Sequence, residues 1–93
     1  MRIDRFLCFV RLSAKRTYAQ ELASTGRLRI SGRVIDKASA TVRVGDVLTF
    51  ADHRGRVRII RVEQLPERRG PFAEASRCYQ DLSPGVDGAE PAT

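Results

Sequence analysis

Residues 26–34, GRLRISGRV, carry the pattern that decides the fold. Leu28 and Ile30 alternate with arginines, and this alternation is typical of a short strand with one buried and one cationic face. The Ser-Gly pair at 31–32 predicts a tight turn, after which residues 34–35 continue extended. A cationic strand face is either ordinary solvated surface or half of a phosphate-binding site, so the rest of the chain must decide.

Two amphipathic helices are predicted before this strand. Residues 3–12 place apolar side chains on one helical face, namely Ile3, Phe6, Leu7 and Val10. Residues 13–25 predict a second helix that ends at Gly26. Its apolar face is expected to consist of Tyr18, Ala19, Leu22 and Ala23.

The start of the second helix carries two cations, Lys15 and Arg16. Positive charge in a first helical turn is unfavourable against the helix dipole. We interpret the pair as part of an anion site, because free backbone amides and cations would act on the same ligand. Gln20 follows Arg16 by four residues and therefore shares its polar face.

The remainder of the chain predicts more strands and one more helix. Residues 42–50 give a Gly-Asp turn and a strand, and residues 56–65 give a second strand joined to it by a hairpin connection at 51–55. The adjacent isoleucines in that second strand indicate a bulge or burial on both faces. Residues 68–82 predict a helix that begins near Pro71, and residues 83–93 are expected to be disordered.

These elements predict an α+β fold. Two N-terminal helices would pack on a small, mainly antiparallel sheet, with a short C-terminal helix docked on the core. We expect all four phenylalanines to be core residues, namely Phe6, Phe9, Phe50 and Phe72.

Charge points to a polyanionic partner. The 93 residues hold 17 Lys and Arg against 11 Asp and Glu, a net charge of +6. Residues 1–43 hold ten Lys and Arg against three acids, whereas residues 70–93 hold one against four. Arginine dominates, and its planar fork of donors suits phosphates and base edges. Generic basicity is the alternative, but the uneven distribution favours a defined basic surface.

The sequence gives little support for catalysis or for a metal. Cys8 and Cys78 match no metal or redox spacing, and Cys8 is interpreted as a buried thiol. His53 is interpreted as a surface residue of the hairpin connection. No nucleophile–base set or nucleotide-binding glycine motif is found, so we expect no enzyme activity and no cofactor. No signal peptide or membrane span is visible, which predicts a cytoplasmic location without membrane contact.

The ordered series of motifs over residues 2–50 resembles a known domain. An amphipathic helix, a helix that opens with Lys-Arg, a glycine, a basic strand with a polar-Gly turn and the segment VRVGDVL follow one another. This order is similar to the S-four-type RNA-binding domain, which is shared by ribosomal small-subunit protein four, many pseudouridine synthases and ribosome-associated factors. The resemblance implies RNA binding.

The segment ERRGPFAEASRCYQDL, residues 67–82, carries a narrower resemblance to the heat-shock protein fifteen group. That resemblance implies binding to ribosomal RNA (rRNA) on the large subunit, with transfer RNA (tRNA) nearby, and action on stalled or recycling ribosomes. It also implies a domain at residues 1–65, an extension at 66–82 and a tail at 83–93. A monomer is the default expectation.

The family resemblance implies an RNA surface made by the second helix and the strand-turn after the glycine. The resemblance implies RNA contact for Lys15, Arg16, Gln20, Arg27, Arg29, Ser31, Arg33 and Lys37, with Arg2 and Arg5 beside them. The family usually has Asn at position 31 and often Arg at position 20. We expect Arg27 and Arg29 to extend the Arg16 face into one continuous cationic surface, if the strand continues that helix.

Other interpretations stay open. A small basic chain with two helices is also compatible with a DNA-binding regulator, although a helix-turn-helix reader does not need the following strand. A targeting module for an RNA-modifying enzyme is a third hypothesis. The arginines of residues 54–61 are interpreted as a solvated strand face.

Overall fold

A computed structural model describes residues 1–52 and 54–83 of the chain. Two helices come first, followed by four strands, a short helical segment and a fifth strand. The elements are α1 (Ile3–Phe9), α2 (Arg16–Ser24), β1 (Leu28–Ile30), β2 (Arg33–Ile35), β3 (Val47–Ala51), β4 (Val57–Val62), α3 (Phe72–Ala75) and β5 (Tyr79–Asp81), with a 3-10 turn at Ser76–Cys78 between α3 and β5.

The five strands form one antiparallel sheet in the order β2-β1-β3-β4-β5. The turn between β1 and β2 has Ser31 at φ 50° and Gly32 at φ 85°. Two successive residues with positive φ make the tight hairpin turn whose twist matches the flanking strands. The predicted turn after β1 is therefore confirmed.

The core lies between one face of the sheet and the helices α1 and α2. Leu28 and Ile30 of β1 are buried with the apolar stripe of α1, as the alternation predicted. The α+β prediction is confirmed. Further buried side chains come from β3, β4 and the α3 region, namely Leu48, Phe50, Ile60, Val62, Ala75 and Cys78.

Both N-terminal helices are shorter than predicted. Helix α1 ends at Phe9, because the chain turns at Arg11 with φ 65° and the amides of Leu12 and Ser13 donate back to the Leu7 carbonyl. Helix α2 begins only at Arg16. Tyr18 was predicted on its apolar face but is 56% exposed, whereas Ala19 and Ala23, predicted on the same face, are fully buried.

The predicted helix over 68–82 is wrong beyond residue 78. The chain leaves a short helical segment and pairs as β5 with the edge of β4, where its backbone groups find partners that a longer helix would not supply. Phe72 is 68% exposed and Phe9 only half-buried, so the core prediction fails for both. The pairing of β4 with β3 is continuous, so the predicted bulge is absent from β4. Ile60 is buried and Ile59 is half-buried, which is the alternative of burial on both faces.

Several predictions concern residues outside the described ranges. His53 and residues 84–93, most of the predicted tail, are among them. Cys8 and Cys78 are free thiols, and Cys8 is half-buried where full burial was predicted. No described helix is long and apolar enough to cross a membrane. Across residues 1–52 and 54–83, no cluster of metal-ligating side chains is present.

Candidate nucleic-acid interface

The centre of the candidate interface is a buried carboxylate that sequence reasoning missed. Asp4, in the first turn of α1, has no exposed surface. Its oxygens accept two hydrogen bonds from the Arg2 guanidinium, at 3.1 and 3.0 Å, and one from the backbone N–H of Arg5, at 2.8 Å. This two-pronged geometry holds the Arg2 side chain in one orientation.

Helix α2 brings two more predicted residues to the same carboxylate. Arg16 Nε lies 3.7 Å from Asp4 Oδ2, and Gln20 Nε2 donates to that oxygen at 3.4 Å. The spacing of four residues along α2 makes this possible, as both side chains lie on one helical face. We call Arg2, Asp4, Arg16 and Gln20 the Asp4 cluster.

The Asp4 cluster presents positive charge to solvent. The side chains of Arg2 and Arg16 are 45% and 52% exposed, while the carboxylate between them is fully covered. Burial raises the pKa of Asp4, but the Arg2 and Arg5 hydrogen bonds and the Arg2 charge lower it more, so its pKa lies below 3.8. One buried negative charge thus holds the Arg2 guanidinium by hydrogen bonds and pairs with Arg16, which leaves a net positive surface.

Two further cations flank the cluster and stack on aromatic rings. Lys15 precedes α2 directly, and its Nζ lies 5.7 Å from the centroid of the Tyr18 ring. The Arg5 guanidinium lies 5.6 Å from the centroid of Phe9. Such contacts limit the motion of a cation without neutralising it. The exposed Tyr18 ring therefore contacts Lys15 and is not part of the core.

Arg27 and Arg29 do not continue the Asp4 cluster. Leu28 and Ile30 point to the face that carries the helices, so Arg29 points to the opposite face, beside Val34 and Thr49. Arg27 turns back toward the end of α2, where its Nε donates to Thr25 Oγ1 at 2.9 Å and its guanidinium lies 4.0 Å from Glu21. The expected continuous surface through β1 is therefore wrong, because the two-residue period of the strand turns Arg29 away and the contacts with Thr25 and Glu21 hold Arg27 at the end of α2.

Ser31 is exposed, but its hydroxyl is already engaged. It donates to Asp46 Oδ1 at 2.9 Å and accepts from the Val47 N–H at 3.4 Å. The other Asp46 oxygen accepts the Arg43 N–H at 2.8 Å. Ser31 and Asp46 therefore link the β1–β2 turn to the loop before β3, a contact that no local pattern in the sequence announces.

Arg33 and Lys37 lie at the outer edge of the sheet. Arg33 is opposite Ile30 in the register and so points toward the helix side, and both cations are exposed. Sequence reasoning missed Arg43, which lines the same groove as Arg33. The one feature of the sequence that could have indicated Arg43 is its position two residues before the Gly-Asp turn.

Three of the seven arginines between residues 54 and 77 form ion pairs with acids. Arg58 contacts Asp81 at 2.9 Å, Arg61 contacts Glu63 at 2.8 Å and Arg68 contacts Glu74 at 3.3 Å. Arg69 donates to the Cys8 carbonyl and so serves packing. These pairs leave the positive surface concentrated in the N-terminal half.

Comparisons with known proteins give the same family as the resemblance. The model of the S4 domain, the S-four-type domain named above, matches residues 1–48. A protein of Halalkalibacterium halodurans named RQC P-site tRNA stabilizing factor is 35% identical over 82 residues, which are 86% of this chain and 88% of that protein. A protein of the same name from Streptococcus pneumoniae is 37% identical over 85 residues, 89% of this chain and 91% of that protein.

A solved structure shares the fold. The Vibrio cholerae Heat Shock Protein 15, described as trimeric, superposes with a TM-score of 0.80 over 94% of this chain and 86% of that chain. The two sequences are 23% identical. The likeness therefore covers β5 and the α3 region as well as the N-terminal motif.

Proposed function

This chain belongs to the S4 domain family, and from that premise we propose that it is a noncatalytic protein that binds structured rRNA on the large ribosomal subunit. The Asp4 cluster is the observation that carries the proposal. Its two half-exposed guanidiniums come from different parts of the chain and are oriented before any ligand arrives. Forked donors fixed in this way suit backbone phosphates and 2′-hydroxyls, through which structured RNA is largely recognised.

The relatives' printed name extends the proposal to tRNA. Two proteins that align with most of this chain are called RQC P-site tRNA stabilizing factor. We propose that this chain likewise acts in the cytoplasm on ribosomal complexes that hold tRNA, and that its contact with them is made by phosphate neutralisation and shape fit. The DNA-binding regulator gains no support from these relatives.

Binding is tested by co-sedimentation with purified large and small ribosomal subunits at low and moderate salt. We expect the native protein to sediment with the large subunit and to be released as salt rises, since each neutralised phosphate releases counterions. The substitution Arg16→Glu should cost about 1–3 kcal/mol of binding free energy. Its matched control is Arg77→Glu, which makes the same charge change at an exposed site in the 3-10 turn.

Equal binding of Arg16→Glu and Arg77→Glu, with both proteins folded, would refute the proposed surface. Displacement of the protein from the large subunit by duplex DNA at equal nucleotide concentration would favour the DNA-binding alternative.

The oligomeric state needs its own measurement. The Vibrio cholerae structure is described as a trimer, whereas we propose that this chain binds RNA as a monomer. Sedimentation velocity on the free protein should give a single species near 10.4 kDa. A species of three times that mass would overturn the monomer.

A further inference from the structure

A groove runs along the outer edge of the sheet, between β2 and the segment 40–46. Its volume is about 310 Å³. The polar side chains in its lining are Arg33, Thr41, Arg43 and Asp46, and its apolar base includes Ile30 and Ile35. The family resemblance already implies RNA contact for Arg33. The groove itself, and the place of Arg43 in it, are visible only in the tertiary structure.

The strand register directs Arg33 into this groove. β2 is an edge strand, and Arg33 pairs with Ile30 in the β1–β2 ladder. Paired residues point to the same side of a sheet. The Arg33 side chain therefore leaves the sheet on the helix side, where segment 40–46 passes, while its neighbour Val34 points to the other face.

A tight loop directs Arg43 to the opposite wall. The Arg43 N–H donates to Asp46 Oδ2 at 2.8 Å, and the Asp46 N–H donates to the Arg43 carbonyl at 3.1 Å. Gly45, at φ 94°, allows the chain to reverse between them. The backbone of Arg43 is thus fixed without any use of its guanidinium.

The charge of the groove is positive. None of the ion pairs within residues 1–52 and 54–83 involves Arg33 or Arg43. Asp46 is the one carboxylate in the described lining, and its two oxygens accept the Ser31 hydroxyl and the Arg43 amide. Two arginines therefore line a groove in which the carboxylate of Asp46 is hydrogen-bonded within the loop.

The groove adjoins the Asp4 cluster through the backbone. Thr41 pairs with Arg2 in an antiparallel bridge, and the Val42 N–H donates to the Met1 carbonyl at 2.8 Å. The two residues that flank Arg2, Met1 and Ile3, are thus hydrogen-bonded to the segment that carries Arg43. The backbone therefore joins the groove directly to the Asp4 cluster, whereas Arg29 lies on the far side of the sheet.

We propose that the Arg33–Arg43 groove binds a backbone phosphate of the RNA held by the Asp4 cluster, and that Arg43 is a further RNA-contact residue. The inference rests on the proposed function. It adds a second contact point, and with it the direction in which the RNA backbone crosses the protein. Two arginines that line one groove supply the forked donors that suit the oxygens of a phosphate.

The test measures affinity for purified large ribosomal subunits over a series of salt concentrations. The variants are Arg43→Gln, Arg33→Gln and the control Arg56→Gln, which removes the same charge from the β3–β4 hairpin connection. Circular dichroism and thermal melting confirm that each variant is folded. We expect Arg43→Gln and Arg33→Gln each to weaken binding about tenfold, and each to lower the slope of log K against log salt by roughly one contact.

The outcomes separate the inference from its premise. If the native protein binds and Arg16→Glu weakens binding as expected, but Arg43→Gln behaves like Arg56→Gln, the groove is overturned and the proposed function stands. Weaker binding of Arg43→Gln with an unchanged salt slope would also overturn it, since no phosphate contact would have been lost. If the native protein binds neither subunit, both proposals fail.

Discussion

At the scale of single residues, Asp4 is a fully buried carboxylate that stays ionised because its partners outweigh the cost of burial. Arg2 and the Arg5 amide bind the charged form, which lowers the pKa of Asp4 below 3.8. A buried charge is tolerated where it is paired and hydrogen-bonded. Asp4 is thus both a stabilising group and the group that orients the basic side chains of two helices.

We expect Asp4→Asn to lower the free energy of unfolding by about 1–3 kcal/mol, because charge-assisted hydrogen bonds are lost in a covered site. The same substitution should weaken binding to the large subunit several-fold, even though it raises the net charge. Urea unfolding and sedimentation measure the two effects. The control is Asp36→Asn, an equal charge change at an exposed residue. Tighter binding by Asp4→Asn would show that Asp4 acts only as a negative charge.

Asp4 also makes stability depend on pH. Its pKa is depressed in the folded protein, so its stabilising contribution is present above the unfolded value near 3.8 and is lost as pH falls through the lower folded value. Asp81 acts in the same direction. Burial raises its pKa, but the hydrogen bonds from Ser83 and the charge of Arg58 lower the pKa by more. As pH falls through the unfolded value and below it, Asp4→Asn should lose stability less steeply than the native protein. Parallel curves from acid titration of unfolding would contradict this.

At the scale of elements, the β1–β2 hairpin depends on its turn. Gly32 has φ 85°, which an L-residue adopts only with strain, and a Cβ there would meet nothing within 4 Å. Any cost of substitution at this position therefore comes from the backbone alone. Ser31 also has positive φ, and its hydroxyl bond to Asp46 helps to hold it there.

We expect Gly32→Ala to destabilise the protein by about 1–2 kcal/mol, the usual cost of a left-handed residue with a Cβ. Thermal melting measures it. D-alanine at the same position, introduced by chemical ligation, is the matched control, because a positive φ is natural to a D-residue. Equal melting temperatures for the L- and D-alanine proteins would show that strain at this turn is not what sets stability.

At the scale of the whole molecule, the C-terminal segment is part of the packed structure. β5 adds three pairs to β4, and Ala75 and Cys78 belong to the core. Arg11 Nε donates to the Gly70 carbonyl at 2.7 Å, which ties the turn after α1 to the segment before α3. β5 is therefore built into the same sheet as the strands of the S4 domain motif, and the α3 region contributes to the same core.

We expect a chain of residues 1–65 to be less stable than the native protein by about 2 kcal/mol or more, because buried side chains and the β4 edge become exposed. A chain of residues 1–83 is the control for shortening itself. Urea unfolding of the two truncated proteins measures the difference. Equal stability would mean that β5 and the α3 region only cover a core that is already complete.

The sequence by itself determined the elements that local periodicity specifies. Alternation predicted β1 and its buried Leu28 and Ile30, and helical spacing predicted the stripe of α1, because one face of a single element is decided by residues two to four positions apart. The order of motifs also predicted the family and most of the cations near the Asp4 cluster.

Only the tertiary structure decided which cations are neighbours. The sheet register placed Arg29 on the face opposite the helices and Arg33 beside Arg43. Helix packing brought Arg16 to a buried Asp4, twelve residues away in the sequence. Residues 79–81 read as helix by their spacing, yet they form β5 because the edge of β4 is available in the folded chain. These are long-range pairings, and no local pattern contains them.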